Sequence, residues 1–326
     1  MQRNHDFRWG LAGYGDLPQR RLIDALNQPP NQIAAVWGRN PARAASFAEQ
    51  FGIPRAAHSL HELTDNVDAV YVAVPPVAHL PVAMTAVQAG RHVLIEKPLS
   101  PTFSGYEKLL ALIARTNVRA AVGYYRRFAP VVRRLRQLLN AGELGLIRSV
   151  ELRYASPFHP QQDNPKAWRL DSAISGGGVM ADAGSHRLDL LCWLLGPAEV
   201  GDVRLVRSAP GMVERGGEIT LLFAAGFSAH CHFSWDATKL DRLVIRGDKA
   251  TVTLDPLDRG RLVIETSQDS RSFDDPPPQN LHIDLVQAFS RSVLLRSVEE
   301  ICTLPEARAV DTILERAYGF VNFSLP

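Results

Sequence analysis

Between residues 7 and 124 the chain alternates short runs rich in β-branched and aromatic residues with amphipathic stretches of about 10 to 17 residues. Few folds accept that pattern. Parallel strands need a long crossover, usually a helix, so such a chain builds βαβ units on a sheet that is buried on both faces. The pattern predicts strands over 7–12, 33–37, 69–74, 92–95 and 118–122, with helices over 17–27, 41–50, 80–89 and 102–115. Pro41 and Pro101 stand at first helical positions, where a missing N–H is harmless.

After Tyr124 the texture changes. Helices are expected over 131–140 and 179–195, and a strand over 147–154. Strands over 203–207, 218–224, 227–235, 243–245, 250–254 and 262–265 then follow one another without helices between them, which makes a mainly antiparallel sheet. Residues 271–279, with three prolines, read as a surface loop, and helices over 284–297 and 306–317 close the chain. The expected fold class is therefore α/β: a doubly wound parallel sheet over 1–124, then an α+β domain over 125–326 with a large, open-faced, mainly antiparallel sheet. A length of 326 residues agrees with about two domains.

Lys+Arg 36 against Asp+Glu 34 leaves a net charge of +2, so the field favours neither nucleic acid nor an anionic membrane as partner. A small molecule is the expected ligand. Cys192, Cys231 and Cys302 are far apart and lack metal-ligand spacing, so no metal is expected and a reducing, cytoplasmic setting fits. Residues 1–10 carry charges in place of an apolar leader, and no apolar run is long enough to insert in a bilayer. The Asn322-Phe323-Ser324 sequon is then read as chance.

Gly10-Leu11-Ala12-Gly13-Tyr14-Gly15-Asp16 follows the first strand and opens a helix. Glycines let the backbone approach a pyrophosphate, and the helix N-terminus supplies N–H donors, as in a Rossmann dinucleotide site. Pro18 takes the third fingerprint position, and a glycine turn without a nucleotide is the competing reading. The second strand ends Trp37-Gly38-Arg39-Asn40, with Arg43 beyond, and offers no carboxylate to a ribose hydroxyl. Arg39 suits a 2′-phosphate through charge-assisted hydrogen bonds worth about 1.5–3 kcal/mol each, which favours NADP over NAD. The other reading of Arg39 is a solvated arginine at a strand end.

Further motifs follow: Val74-Pro75-Pro76-Val77-Ala78-His79, Glu96-Lys97-Pro98, Gly123-Tyr124-Tyr125-Arg126-Arg127-Phe128, and Gly176-Gly177-Gly178 leading to Asp182-Ala183-Gly184-Ser185-His186-Arg187-Leu188-Asp189. In order, spacing and length the chain resembles the Gfo/Idh/MocA family of nicotinamide-dependent oxidoreductases over nearly its whole extent. Three positions depart from the family's usual residues: Tyr125 and Pro76 for Asn, and Pro18 for Ala. The resemblance implies a cofactor-facing set of Gly13, Gly15, Asp16, Leu17, Arg39, Asn40, Arg43, Val74, Pro75, His79, Glu96 and Lys97. It also implies His186 as acid/base with Lys97 and Asp182 assisting; beside Asp182 and His186, the further candidates toward substrate are Tyr125, Arg126, Trp168 and Arg169.

Oxidising a secondary alcohol needs a base within hydrogen-bond reach of the hydroxyl while hydride leaves the same carbon. Asp182 and His186, at i and i+4 of one expected helix, would project from one face. Lys97 is the first of the chain's lysines, and an amine can relay protons where guanidinium cannot. A structural ion pair of Lys97 with Glu96 and a core role for His186 are the plainer readings. Asp189 either orients His186 or faces solvent. Arg126, Arg127, Arg133, Arg134 and Arg136 read as a solvated helix face, with Arg126 or Arg127 available to a cleft. His230 and His232 share the polar face of an alternating strand.

The expected activity is hydride transfer between nicotinamide, NADP before NAD, and a secondary alcohol or ketone of a sugar, cyclitol or related polyhydroxylated molecule. Two rivals use the same motifs: a glycosidase with tightly bound NAD(P) that oxidises transiently, and a non-catalytic NADP sensor. An apolar sheet face left open predicts a homodimer or homotetramer through the second domain's sheet. The cofactor assignment carries a test: Arg39→Ala weakens NADP binding about ten- to a hundredfold, as one or two lost charge-assisted bonds require, and leaves NAD nearly unchanged. Equal losses in titrations with both cofactors would contradict it.

Overall fold

The computed structural model describes residues 6–100, 105–161, 163–209 and 212–319. They divide into two compact units, one holding the chain up to 125 together with 280–307, the other 126–279 and the chain from 308 on.

In the first unit β1 (Phe7–Ala12), β2 (Asn31–Trp37), β3 (Ala69–Val72), β4 (His92–Ile95) and β5 (Ala120–Val122) are parallel, in the order β5-β4-β3-β1-β2. Strands covered on both faces are apolar throughout, and all four residues of β3, Ala69 to Val72, are buried. Trp9 is fully buried and donates its indole N–H to Asn31 Oδ1 at 2.9 Å. Pro101 and residues 102–104 of an expected helix lie outside the described residues; the helix itself runs Tyr106–Ala114.

Two local expectations are corrected here. Residues 17–27 do not form one regular helix: Pro18–Leu22 is a π-helical turn that becomes α-helical at Ile23–Leu26. Nor does a single cut near 124 divide the chain. The helix Leu281–Leu294 packs on the first unit, with Phe289 5.4 Å from the Trp9 ring and the Asn280 amide donating to Arg21 O and Asp24 Oδ2. Strand Cys302–Thr303 then pairs antiparallel with β5.

The second unit is built on β6 (Ile147–Ala155), β7 (Ala198–Arg207), β8 (Glu214–Phe223), β9 (Ser228–Ser234), β10 (Leu240–Gly247), β11 (Thr251–Leu254), β12 (Arg261–Glu265) and β13 (Ser270–Asp274). Their order is β13-β12-β11-β10-β6-β9-β8-β7, and only β6 with β9 runs parallel. β13 occupies part of the expected loop. Its residues Ser-Arg-Ser-Phe-Asp lack apolar alternation, and pairing with β12 alone makes it a strand.

The apolar face of this sheet is not open. Val150, Leu152, Ile219, Ala229, Cys231 and Phe233 are buried, and the helix Ser185–Leu195 lies over them, with Gly184 against Phe233 and Arg187 3.9 Å from the Tyr154 ring. The opposite face carries Glu218, Thr220, His230 and Arg242. Costly exposure of apolar sheet is therefore no argument for self-association.

Nor is the basic cluster a solvated face. The Arg127 guanidinium is 2% exposed and grips Asp189 through Nε at 3.0 Å and Nη2 at 2.6 Å. Asp189 thus locks an adjoining element instead of facing solvent. Arg133, Arg134 and Arg136 lie on the rings of Phe128, Phe273 and Trp193, at 5.1, 4.6 and 4.1 Å. A buried charge left alone is expensive, so Asp189→Ala destabilises the fold by about 3–5 kcal/mol, read as a lower denaturant midpoint.

Candidate active site

In the first unit, parallel strands place every strand end of one sense along one edge of the sheet. The loop Gly13–Leu17 follows β1, Arg39 and Asn40 follow β2, Val74 and Pro75 follow β3, Glu96 and Lys97 follow β4, and Tyr125 follows β5. The order reverses between β3 and β1, the crevice where doubly wound sheets bind ligands.

The two fingerprint glycines have different physical jobs. Gly13 has φ 116°, and a Cβ there would stand 2.5 Å from Ala73 O, so it is fixed by strand packing. A Cβ on Gly15 would meet nothing within 4 Å. That open backbone fits a pyrophosphate brought close to the chain. Arg39 is exposed and has no hydrogen bond or ion pair among the described residues. Asn40 is partly committed: its side chain caps helix Pro41–Phe51 by accepting from Arg43 N at 3.1 Å. Tyr14 lies over Gly38, and the Arg43 guanidinium sits 5.3 Å from its ring. Asp16 pairs at the surface with Arg20 at 3.6 Å.

Glu96 is buried beside half-buried Lys97. The Tyr71 hydroxyl donates to Glu96 Oε1 at 2.6 Å, and the Lys97 N–H donates to Oε2 at 3.3 Å. Burial raises the Glu96 pKa, against the pull of Tyr71 and Lys97. His282 also belongs to this shelf, although no motif in the sequence pointed to it. Its ring packs 4.4 Å from that of Tyr125, and its Nε2, 3.9 Å from Glu96 Oε1, is buried without a hydrogen-bond partner among the described residues. Burial, with Arg21 and Lys97 nearby, drops its pKa to about 3.

In the second unit a π-helical turn, Met180–Gly184, carries Asp182, and the α-helix Ser185–Leu195 begins just before His186. The regular i, i+4 relation assumed for this pair therefore does not apply. His186 is 6% exposed. Asp182 Oδ2 lies 3.3 Å from Arg169 Nε, and the Arg169 guanidinium stacks 4.9 Å from the Trp168 ring. Three residues named for substrate are thus brought together. Arg126 instead approaches Asp241, at 3.9 Å, which Arg187 holds through Nε and Nη2 at 3.0 and 2.6 Å. His230 accepts or donates with Thr220 Oγ1 at 3.2 Å on the open sheet face. Among the described residues no group of three or more His, Cys, Asp or Glu has metal-holding geometry.

Residues 7–124 match the oxidoreductase family with an NAD-binding Rossmann fold, and 132–253 match the GFO/IDH/MocA C-terminal domain. The chain belongs to the Gfo/Idh/MocA family. It is an NAD(P)-dependent oxidoreductase. The dTDP-3,4-didehydro-2,6-dideoxy-alpha-D-glucose 3-reductase of Streptomyces antibioticus is 30% identical over 294 residues, 88% of each chain. The 1,5-anhydro-D-fructose reductase of Ensifer adhaerens is 28% identical over 231 residues, 69% of this chain and 68% of that one. A crystal structure of a mutant 3-ketoreductase from Actinomadura kijaniata, in complex with TDP-benzene and NADP, superposes with a TM-score of 0.85 at 25% identity, covering 96% of this chain and 97% of that one.

His79 ties this edge together. Its Nδ1 and Nε2 lie 2.8 Å from Pro98 O and Val74 O, so the ring sits between the loop after β3 and the loop after β4, and the neutral ring donates its one N–H to one of the two carbonyls. Burial lowers its pKa from 6.5 to about 4, so the folded protein holds it neutral while the unfolded chain takes up a proton between those values. Stability from this group is full above pH 6.5 and is lost as pH falls toward 4, on the order of 3 kcal/mol. His79→Gln therefore flattens the acid limb of a stability-versus-pH curve measured by denaturant titration, and an unchanged limb would exclude His79 as its source.

Proposed function

We propose that the enzyme is an NADP-preferring reductase or dehydrogenase of a secondary carbinol or ketone on a sugar, cyclitol or related polyhydroxylated molecule. The observation that carries this reading is the gathering of the open Gly15 backbone, uncommitted Arg39 and the Glu96–Lys97 shelf along one edge of a parallel sheet. The relatives named above, reductases of glucose and fructose derivatives, support the substrate class.

Bound NADP(H) supplies the hydride donor or acceptor. Gly13–Leu17 would carry its pyrophosphate and Arg39, with Arg43, its 2′-phosphate; Val74, Pro75 and His79 would border it. The remaining chemistry belongs to the side chains. The His186 imidazole takes the substrate's hydroxyl proton in oxidation and returns it in reduction. The Lys97 ammonium stabilises negative charge that develops on a substrate oxygen. Asp182, paired with Arg169, accepts hydrogen bonds from neighbouring hydroxyls, with Trp168 beside that pair. We further assign self-association to the open face of the second sheet, where Val206 and Leu222 are exposed among charged residues. The three unbridged cysteines support a cytoplasmic setting.

The test is kinetic. His186→Ala lowers kcat by about 10²–10⁴ with NADPH affinity unchanged, since removing an acid/base group spares nucleotide binding. Lys97→Met acts in the same direction. Stoichiometric nicotinamide reduction with a free polyol supports the proposal; hydrolysis of a glycoside without net cofactor reduction would replace it with the glycosidase reading. Wild-type turnover in both variants would defeat the acid/base assignment.

A further inference from the structure

The triple-glycine turn ahead of Asp182 makes room for the Tyr318 side chain and the Glu214 backbone, both from elsewhere in the second unit. A Cβ on Gly177 would lie 2.2 Å from the Tyr318 hydroxyl, and one on Gly178 would lie 1.7 Å from Glu214 O. Glu214, the first residue of β8, is fully buried at 0% exposure. Its Oε2 accepts the Gly178 N–H at 2.8 Å; its Oε1 accepts the Met180 N–H at 2.9 Å and the Tyr318 hydroxyl at 2.8 Å. The turn and the helix after it have no cap of their own: neither Val179 nor Gly184 supplies a side-chain bond to the following N–H groups. A carboxylate at a helix N-terminus also complements the helix dipole.

We propose that Glu214 and Tyr318 are positioning residues for Asp182 and His186. They hold the backbone of the π-turn at its first N–H groups, and so fix where Asp182 sits and in which direction the helix bearing His186 sets out. A segment capped only by distant side chains keeps its geometry no better than those bonds do. Displacements near 1 Å at a reacting group cost on the order of a hundredfold in rate. The proposal rests on the roles given to Asp182 and His186 under Proposed function.

Glu214→Gln and Tyr318→Phe test it, each alone and combined with His186→Ala. Kinetics give kcat and KM, fluorescence titration gives the NADPH dissociation constant, and thermal melting confirms folding. Each single variant is expected to lower kcat about tenfold, a partial loss of the positioning advantage, with NADPH affinity within about twofold. In the His186→Ala background each adds a clearly smaller loss than in the wild type, because one of the two groups they position is gone. A purely structural role instead gives additive losses or leaves kcat untouched, and either result overturns the proposal. If Glu214→Gln does not fold, Tyr318→Phe decides, since it removes one hydroxyl and leaves both backbone bonds to Glu214 in place. An active His186→Ala enzyme overturns the acid/base assignment and this inference together; an inactive one beside silent Glu214→Gln and Tyr318→Phe overturns the inference alone.

Discussion

The parallel sense of β1 to β5 is the constraint from which the nucleotide half follows. Parallel strands force helical crossovers, and crossovers bring each strand end of one sense to the same edge. Residues as distant in sequence as Gly15, Arg39 and Lys97 then stand in loops along that one edge. The edge is braced by backbone-directed contacts, chiefly the buried His79 ring set between Val74 O and Pro98 O.

The second unit solves a different problem. Its sheet is covered by a helix that also carries His186, so packing and the proposed acid/base share one element. Buried charges fix that element from three sides. Arg127 holds Asp189, Asp241 holds Arg187, and Glu214 holds the N–H groups of Gly178 and Met180. Pairs of this kind add little net stability over apolar packing, yet each is costly to break, so they select one arrangement among many of similar energy.

Much of the local geometry of the proposed site was legible because its residues sit in short motifs whose backbone demands are local. Gly13 and Gly15, Glu96-Lys97-Pro98 and the run from Gly176 to Asp189 could be read as turn, strand end and helix start. The partners of those motifs were not legible. His282 reaches the Glu96 shelf from a helix far along the chain, and Glu214 reaches the glycine turn from a strand. Arg133, Arg134 and Arg136 look solvated in sequence, where nothing shows the rings of Phe128, Phe273 and Trp193 beneath them. The π-turns at Pro18 and Met180 also escape a reading based on a 3.6-residue period.

The amino-acid sequence alone determined the strand and helix periods, the glycine turns and the residue types that chemistry requires, because these depend on neighbours a few positions away. Only the tertiary structure decided which unit residues 280–307 join, which face of the second sheet is covered, and which buried acid answers which arginine. Those outcomes depend on contacts between segments far apart in the chain, whose energies are settled by burial and desolvation and leave no local pattern to read.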